Sequence, residues 1–206
     1  VNGSNSNINN AYATGKVAGQ SIVGGLVGYN YNNSTINNAY ATGKVTGQNN
    51  VGGLVGYNDN GAVNYSFWDI DTSGQTTSAG GTGKHTADMQ TLSTYTNAGW
   101  NIDDTGGTGK IWRIYEGQTA PLLRSFLTKK NIAATDQVTT YNGQSQELNT
   151  STLSGLDANK VFSTQSNAKN VGTYNLAYYS NQLGYDLEGS RTARLTINKA
   201  AISAVT

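Results

Sequence analysis

Few side chains in this sequence could do chemistry, and the first candidates form an acidic run after residue 68. Asp69, Asp71 and Ser73 place oxygen atoms at every second position, the spacing with which a calcium-binding loop opens. Calcium takes about six to eight oxygen ligands, and such a loop ends in a bidentate glutamate at its twelfth position. That position is Gly80 here. The incomplete motif therefore favours a capped turn, with calcium as the alternative and as the one cofactor considered.

His85 is the only histidine of the chain, and a histidine is the usual general base for a serine nucleophile. Asp88 and Ser93 follow it in the sequence, but without the spacing of a nucleophile elbow. The chain has no cysteine, which excludes a thiol nucleophile and a cysteine-ligated metal. We therefore expect no catalytic residues and a protein that is not an enzyme.

Tyr12 and Tyr40, with Thr14 and Thr42 beside them, are the candidate ligand-binding residues. The members of each pair are 28 residues apart. A tyrosine offers a flat apolar face and a hydroxyl group, which suit sugars or protein surfaces. The alternative is that stacked tyrosine rings only stabilise neighbouring strands.

The composition excludes several functional classes. A net charge of +1 in 206 residues, of which 12% are charged, gives no electrostatic support for a nucleic-acid partner. No run approaches the roughly 18 apolar residues of a membrane helix, so we expect no membrane insertion. With 26 glycines and 13 tyrosines, and short β-branched runs throughout, the chain is predicted to be all-β with tight turns rather than disordered.

A tandem repeat sets the predicted architecture. Residues 8–35 and 36–63 align without gaps and are identical at 21 of 28 positions. Near-identical tandem units sit on one another in the same way, so each strand should pair in parallel with its own copy. We therefore predict right-handed parallel β-solenoid coils.

Side chains alternate between the two faces of a strand, and this period of two predicts which residues of one strand in each unit point inward. Ala39, Ala41 and Val45 alternate with Tyr40 and Lys44. A lysine is not buried without a partner. We therefore predict that the small residues point inward and that Tyr40 and Lys44 face solvent.

The period ends after residue 63. Thr86 precedes a run suited to one short helix, for which it would be the N-cap. The richest apolar cluster of the chain falls within residues 111–127. Because the open end of a stack exposes strand edges and core, we interpret this cluster as a C-terminal cap and residues 1–128 as the first domain.

Residues 129–206 are predicted to form a second, small β module. Lys129-Lys130-Asn131 is typical of a polar linker. Strand-like runs follow at 137–141, 161–162, 173–179, 185–187 and 193–197. This length suffices for a small β-sandwich or β-grasp unit.

Two sets of motifs resemble modules of bacterial adhesins. INNAYATGKV and VGGLVGYN, at 36–45 and 51–58, resemble the GLUG motif of filamentous haemagglutinin-like adhesins, and the likeness covers about residues 8–127. Tyr141-Asn142-Gly143 and the LTINKA run at 195–200 resemble YDG/MBG-type modules of the same adhesins, with Asn142 in place of the usual aspartate.

This resemblance implies a fragment of a large adhesin that is exported by two-partner secretion and displayed on the bacterial cell surface. The implied partners are host-cell or matrix glycans or proteins, and an outer-membrane secretion partner for the full-length chain. The implied role is attachment to cells, glycans or biofilm matrix. Two alternatives stay open: a stand-alone carbohydrate-binding module, and the structural stalk of a surface enzyme whose catalytic part lies elsewhere.

Overall fold

The tandem repeat folds as layers of short strands that pair in parallel and in register. In the computed structural model, residues 1–147 and 153–201 are described, and strands dominate them. The first repeat contributes β1 (Asn7–Asn9), β2 (Tyr12–Ala13), β3 (Val17–Ala18), β4 (Ser21–Gly24) and β5 (Val27–Tyr31). The second contributes β6 (Thr35–Asn37), β7 (Tyr40–Ala41), β8 (Val45–Thr46), β9 (Asn49–Gly52) and β10 (Val55–Asp59).

Each strand of the first repeat pairs with its own copy. The register partners are Ile8 with Ile36, Tyr12 with Tyr40, Val17 with Val45, Val23 with Val51, and Val27 with Val55. Each of these pairs is separated by the 28 residues of the repeat. The in-register parallel stacking predicted from the sequence is therefore confirmed.

The chain after the second repeat adds to this stack and then covers part of it. The elements are β11 (Ala62–Asn64), β12 (Phe67–Asp69), α1 (Ile70–Ser73), β13 (Thr82–Lys84), α2 (Thr86–Met89) and α3 (Leu92–Thr96). β11 pairs with β6, and β12 pairs with β7, both in parallel. A short helix does follow His85, but His85 and not Thr86 is its N-cap, and it makes no side-chain capping bond.

The core of the stack is built from small and branched side chains. Val27, Ile36, Ala39, Ala41, Leu54, Val55 and Trp68 form one buried cluster. Ala39, Ala41 and Val45 are buried and Lys44 is exposed, as predicted. The backbone is close-packed as well: a Cβ placed on Gly53 would lie 2.0 Å from the Trp68 ring. That position therefore requires glycine.

Tyr40 departs from the prediction, because its side chain is only 1% exposed. It lies on the other face of β7 from the Ala39 and Ala41 cluster, beside Phe67 in the next strand. The Phe67 ring contacts the rings of Tyr95 and Trp100, at centroid distances of 5.6 and 6.1 Å. The segment that carries α2 and α3 therefore covers the outer face of this strand, so the predicted solvent exposure of Tyr40 is wrong.

The chain separates into two compact units, residues 1–102 and 103–206. The boundary falls within β14 (Ile102–Asp103), after which the second unit has β15 (Trp112–Arg113), β16 (Leu122–Leu123) and a 3₁₀ turn, Arg124–Phe126. It continues with β17 (Thr128–Ala133), β18 (Gln137–Thr140), β19 (Gln146–Glu147), β20 (Val161–Ser163), β21 (Asn167–Ala168), β22 (Gly172–Ser180), β23 (Tyr185–Ser190) and β24 (Thr192–Asn198).

The second unit has its own mixed sheets. One sheet has the order β18-β24-β22-β20, with β18 parallel to β24 and the other pairs antiparallel. β17 pairs in parallel with β23, and β19 pairs antiparallel with β21. Every strand-like run predicted for the second module lies in one of these strands, except that the run at 137–141 extends one residue past β18. The predicted module also includes 148–152 and 202–206, which lie outside the described residues.

Two sequence-based boundaries differ from the structure. Lys129-Lys130-Asn131 is not a linker but part of β17, in which Ile132 is buried and both lysines point to solvent. Residues 111–127, predicted to cap the repeat stack, belong to the second unit, where Tyr115 and Leu122 join the core around Leu187. The division therefore falls at residue 102 and not at 128, because the apolar cluster packs with the strands that follow it.

Candidate binding surface

The predicted tyrosine pair is stacked across two neighbouring strands. The rings of Tyr12 and Tyr40 have centroids 5.7 Å apart and an interplanar angle of 19°. Tyr12 is half-buried and Thr14 is exposed, whereas Thr42 is half-buried and its carbonyl accepts a hydrogen bond from Thr72 Oγ1 at 2.6 Å. The structure thus brings Tyr12 and Tyr40 together, and of the four residues Tyr40 is the one that is buried.

A second tyrosine group, which the sequence argument missed, lies open on the same unit. We call Tyr29, Tyr31 and Tyr57 the tyrosine strip. The Tyr29 ring stacks on that of Tyr31, with centroids 4.9 Å apart, and contacts that of Tyr57 at 5.3 Å. The signal was present in the sequence, because Tyr29 and Tyr57 occupy the same place in the two copies of VGGLVGYN.

The tyrosine strip is bordered by polar groups at the corner of the repeat. The Tyr29 hydroxyl donates to Asp59 Oδ2 at 3.3 Å, and Asn60 Nδ2 donates to Asp59 Oδ1 at 3.0 Å. Partial burial, and then the Asp59 carboxylate, raise the pKa of Tyr29, so its hydroxyl stays a donor. Asn32 and Asn33 are exposed at the same corner, where their backbone amides bond to the carbonyls of residues 59 and 60.

Asparagine ladders hold successive layers together. Asn2 Nδ2 donates to Asn30 Oδ1 at 2.7 Å, and Asn30 Nδ2 donates to Asn58 Oδ1 at 2.8 Å. Asn30 is fully buried, and a buried amide needs such partners. Similar bonds of 2.9 Å link the side chains of residues 9, 37 and 64. These asparagines are structural, which leaves the corner side chains as the ones open to a ligand.

The predicted calcium-loop residues form a capped turn. Asp69 is buried and is the N-cap of α1, where its Oδ1 accepts from the amides of Asp71 and Thr72. Its Oδ2 accepts from Thr86 Oγ1 at 2.7 Å. Ser73 is buried, and its Oγ accepts from the Gln75 amide. The side-chain oxygens of Asp69 and Ser73 thus accept hydrogen bonds from the chain itself, in a turn that Asp69 caps.

Asp71 and His85 form an exposed pair between α1 and α2. His85 Nδ1 lies 2.9 Å from Asp71 Oδ1, and the Thr86 amide donates to Asp71 Oδ2. The hydrogen bond to Asp71 raises the pKa of His85. The Thr86 amide, and then His85, lower the pKa of Asp71. No group of three or more His, Cys, Asp or Glu that could hold a metal ion occurs among residues 1–147 and 153–201.

The second unit contains a buried ionic network. Asp186 is 1% exposed and accepts from Arg124 Nη1 and, at 3.1 Å, from the Gly107 amide. Arg113 is fully buried, 3.5 Å from Asp186 Oδ1, and its guanidinium lies over the Tyr115 ring at 4.3 Å. Desolvation lowers the pKa of Arg113, while Tyr115 and Asp186 oppose that shift. Because Arg113, Arg124 and Asp186 are shielded from solvent, we interpret this network as structural.

Within the part of the chain that the structure describes, no helix is long and apolar enough to cross a membrane. This finding applies to helices alone.

Comparison with known proteins finds a short family motif and one partial relative. The GLUG motif matches residues 19–46, a stretch as long as the repeat. A protein of Evansella cellulosilytica named "Putative Gly-rich membrane protein" is 41% identical over 111 residues, which are 50% of this chain and 13% of that protein. This chain thus spans about an eighth of the relative's length. No solved structure matches the chain. The chain therefore contains a GLUG motif, and half of this chain resembles a short part of a glycine-rich relative.

Proposed function

We propose that the chain is a non-catalytic segment of a large, secreted bacterial surface adhesin. Its repeats would form a right-handed parallel β-solenoid that presents a long contact surface, followed by the second module as a spacer or further contact unit. Its partners would be glycans or proteins of host cells, or of the biofilm matrix. In the full-length chain, an outer-membrane partner would carry out secretion.

The observation that carries this proposal is the stack of near-identical layers. Every strand of the first repeat pairs with its copy 28 residues later. The same surface groups therefore recur at the strand spacing of about 4.8 Å. Such a surface suits many weak contacts along one molecule, since linked contacts raise one another's effective concentration.

The similarities support a surface location. The GLUG motif lies within the repeats, and the relative from Evansella cellulosilytica is named as a membrane protein. The sequence motifs of the second module resemble adhesin modules as well. The haemagglutinin-like family and the two-partner secretion route rest on that resemblance.

Binding assays at two densities test the proposal. The chain would be measured as a free monomer and coupled densely to beads, against a glycan array, matrix proteins and cultured cells. We expect a Kd of about 0.1–1 mM for single contacts and a gain of about 100-fold or more on the beads. Beads coupled to an unrelated all-β protein are the control.

Two results would contradict the proposal. Beads that bind no cell, glycan or matrix protein would favour a purely structural stalk. Turnover of a glycan or peptide by the purified chain would show an enzyme.

A further inference from the structure

The tyrosine strip is an open aromatic surface on an otherwise polar part of the first unit. Tyr57 is 43% exposed, while Tyr29 and Tyr31 are half-buried. Tyr31 packs over the backbone of Gly3, whose added Cβ would lie 3.3 Å from the Tyr31 hydroxyl. The strip is therefore held on its inner side by the chain and left open on its outer side.

The strip differs from the other stacked tyrosines in what covers it. Tyr12 and Tyr40 lie in the row that continues to Phe67, and the segment with Tyr95 and Trp100 closes over that row. None of the described segments covers the row of Tyr29 and Tyr57 in this way, and Tyr57 is exposed. The three rings are contiguous, and a contiguous exposed apolar patch is typical of a contact site.

The chemistry of the strip and its border matches a sugar ring. A tyrosine ring presents an apolar face with a hydroxyl at its edge, and a pyranose presents an apolar C–H face with hydroxyls around its rim. Asn32 Nδ2 donates to Ser4 Oγ at 2.8 Å and Asn60 Nδ2 to Asp59 Oδ1, so each of these amides keeps one N–H and its oxygen for a ligand. Asn33 is exposed, and the Asp59 carboxylate has lone pairs beyond those that accept from Tyr29 and Asn60. Neighbouring hydroxyls of a sugar need this mixture of donors and acceptors.

We infer that the tyrosine strip and the Asp59 corner bind a neutral polysaccharide. This inference rests on the proposed adhesive function and specifies its ligand. The strip spans two layers in register, so a polymer with a repeating sugar can meet the same groups again. Asp59 borders the strip, and the negative charge of its carboxylate disfavours acidic sugars by like-charge repulsion.

Affinity electrophoresis of the whole 206-residue chain tests the inference. Native gels would contain hydroxyethylcellulose, galactomannan or dextran as neutral polymers, and polygalacturonate as the acidic one. We expect at least one neutral polymer to retard the chain and polygalacturonate to leave it unretarded. The double variant Tyr31→Leu/Tyr57→Leu removes two ring faces but keeps apolar volume, and it should weaken binding at least tenfold.

The matched control is Tyr65→Leu. Tyr65 is a more exposed tyrosine of the same unit, 63% accessible, and it lies outside the strip. This variant should bind like the original chain. Circular dichroism and thermal unfolding would confirm that both variants are folded. If the double variant unfolds, the single variant Tyr57→Leu at the open end of the strip takes its place.

The outcomes separate this inference from the proposed function. Equal retardation of the original chain and the folded strip variant would overturn the inference, as would retardation by polygalacturonate alone. If no neutral polymer retards the chain, the inference fails. Adhesion of the coated beads to cells or matrix proteins would then still support the adhesin, with a different ligand. Loss of both would remove the proposed function too.

Discussion

At the scale of single residues, the two repeats allow backbone strain to be compared between different residues at the same position. Ile22 adopts a left-handed backbone conformation with φ of 56°, and its equivalent in the second repeat, Asn50, has φ of 51°. Asparagine tolerates this region, whereas a β-branched residue does so at a cost of about 1–2 kcal/mol. The same corner is thus relaxed in one layer and strained in the other.

Exchanging these residues should change stability in opposite directions. Ile22→Asn should stabilise the chain by about 1 kcal/mol, because Ile22 is exposed and little packing is lost. Asn50→Ile should destabilise it by a similar amount. Urea unfolding of the two variants measures both changes. A shift of the same sign in the two variants would contradict the argument from backbone strain.

Asp186 shows a second effect at this scale. Asp186→Asn leaves the buried Arg113 without a carboxylate and removes one of the two carboxylates that pair with Arg124, the other being Asp103. Breaking such a buried pair costs about 3–5 kcal/mol. Asp136→Asn is the control, because the Asp136–Arg194 pair is more than half exposed and exposed pairs contribute little. Thermal unfolding of both variants should show a large loss only for Asp186→Asn. A similar loss of thermal stability in both variants would show that burial does not determine how much these ion pairs stabilise the fold.

At the scale of elements, the segment with α2 and α3 covers Tyr40, so Tyr40 should contribute more to stability than its stacked neighbour Tyr12. Tyr40→Ala should cost about 3–5 kcal/mol, the usual range for a large buried aromatic residue. Tyr12→Ala, in the same stack but half-exposed, should cost clearly less. Denaturant unfolding compares the two. Equal costs would show that α2, α3 and the residues after them do not close over Tyr40.

The contact between α1 and α2 should depend on pH. The folded-state pKa of His85 is raised by Asp71, so its stabilising contribution is complete below the unfolded value of 6.5 and is lost as the pH rises through the folded value. The pKa of Asp71 is lowered, so its contribution is present above 3.8 and is lost as the pH falls through the folded value. The contact is therefore strongest between these two titrations.

An NMR titration of the single histidine checks this pair. In the original chain the pKa of His85 should lie above 6.5, and Asp71→Asn should bring it back toward that value. Asp88→Asn is the control, because Asp88 acts on His85 only at longer range, after Asp71. An unchanged pKa in Asp71→Asn would show that the two side chains do not interact in solution.

At the scale of the whole molecule, the boundary at residue 102 changes which pieces should fold. Residues 103–206 contain Arg113 and Arg124 with their partner Asp186, and Tyr115, whose hydroxyl bonds to the backbone of residues 185 and 187. A piece that starts at residue 131 lacks all three and leaves Asp186 buried without a cation. We therefore expect 103–206 to unfold cooperatively on heating and 131–206 to do so weakly or not at all. A cooperative transition of equal midpoint in the shorter piece would contradict the boundary.

The sequence by itself determined the repeat, its register and the inward face of its strands. The identity of the two copies specifies parallel pairing at an offset of 28, and the alternation of Ala39 and Ala41 with Lys44 specifies the core side. These properties depend on neighbours within a few residues or at a fixed period. They can therefore be detected in a single amino-acid sequence.

Only the tertiary structure decided what lies over those faces. The burial of Tyr40 depends on Tyr95 and Trp100, which are more than 50 residues away in the sequence and follow no period. The assignment of residues 111–127 to the second unit likewise depends on Asp186 and Leu187, far along the chain. Local patterns tell which side of a strand a residue occupies, but exposure is set by long-range packing that no local pattern encodes. For that reason Tyr40 proved structural, and the tyrosine strip became the open surface.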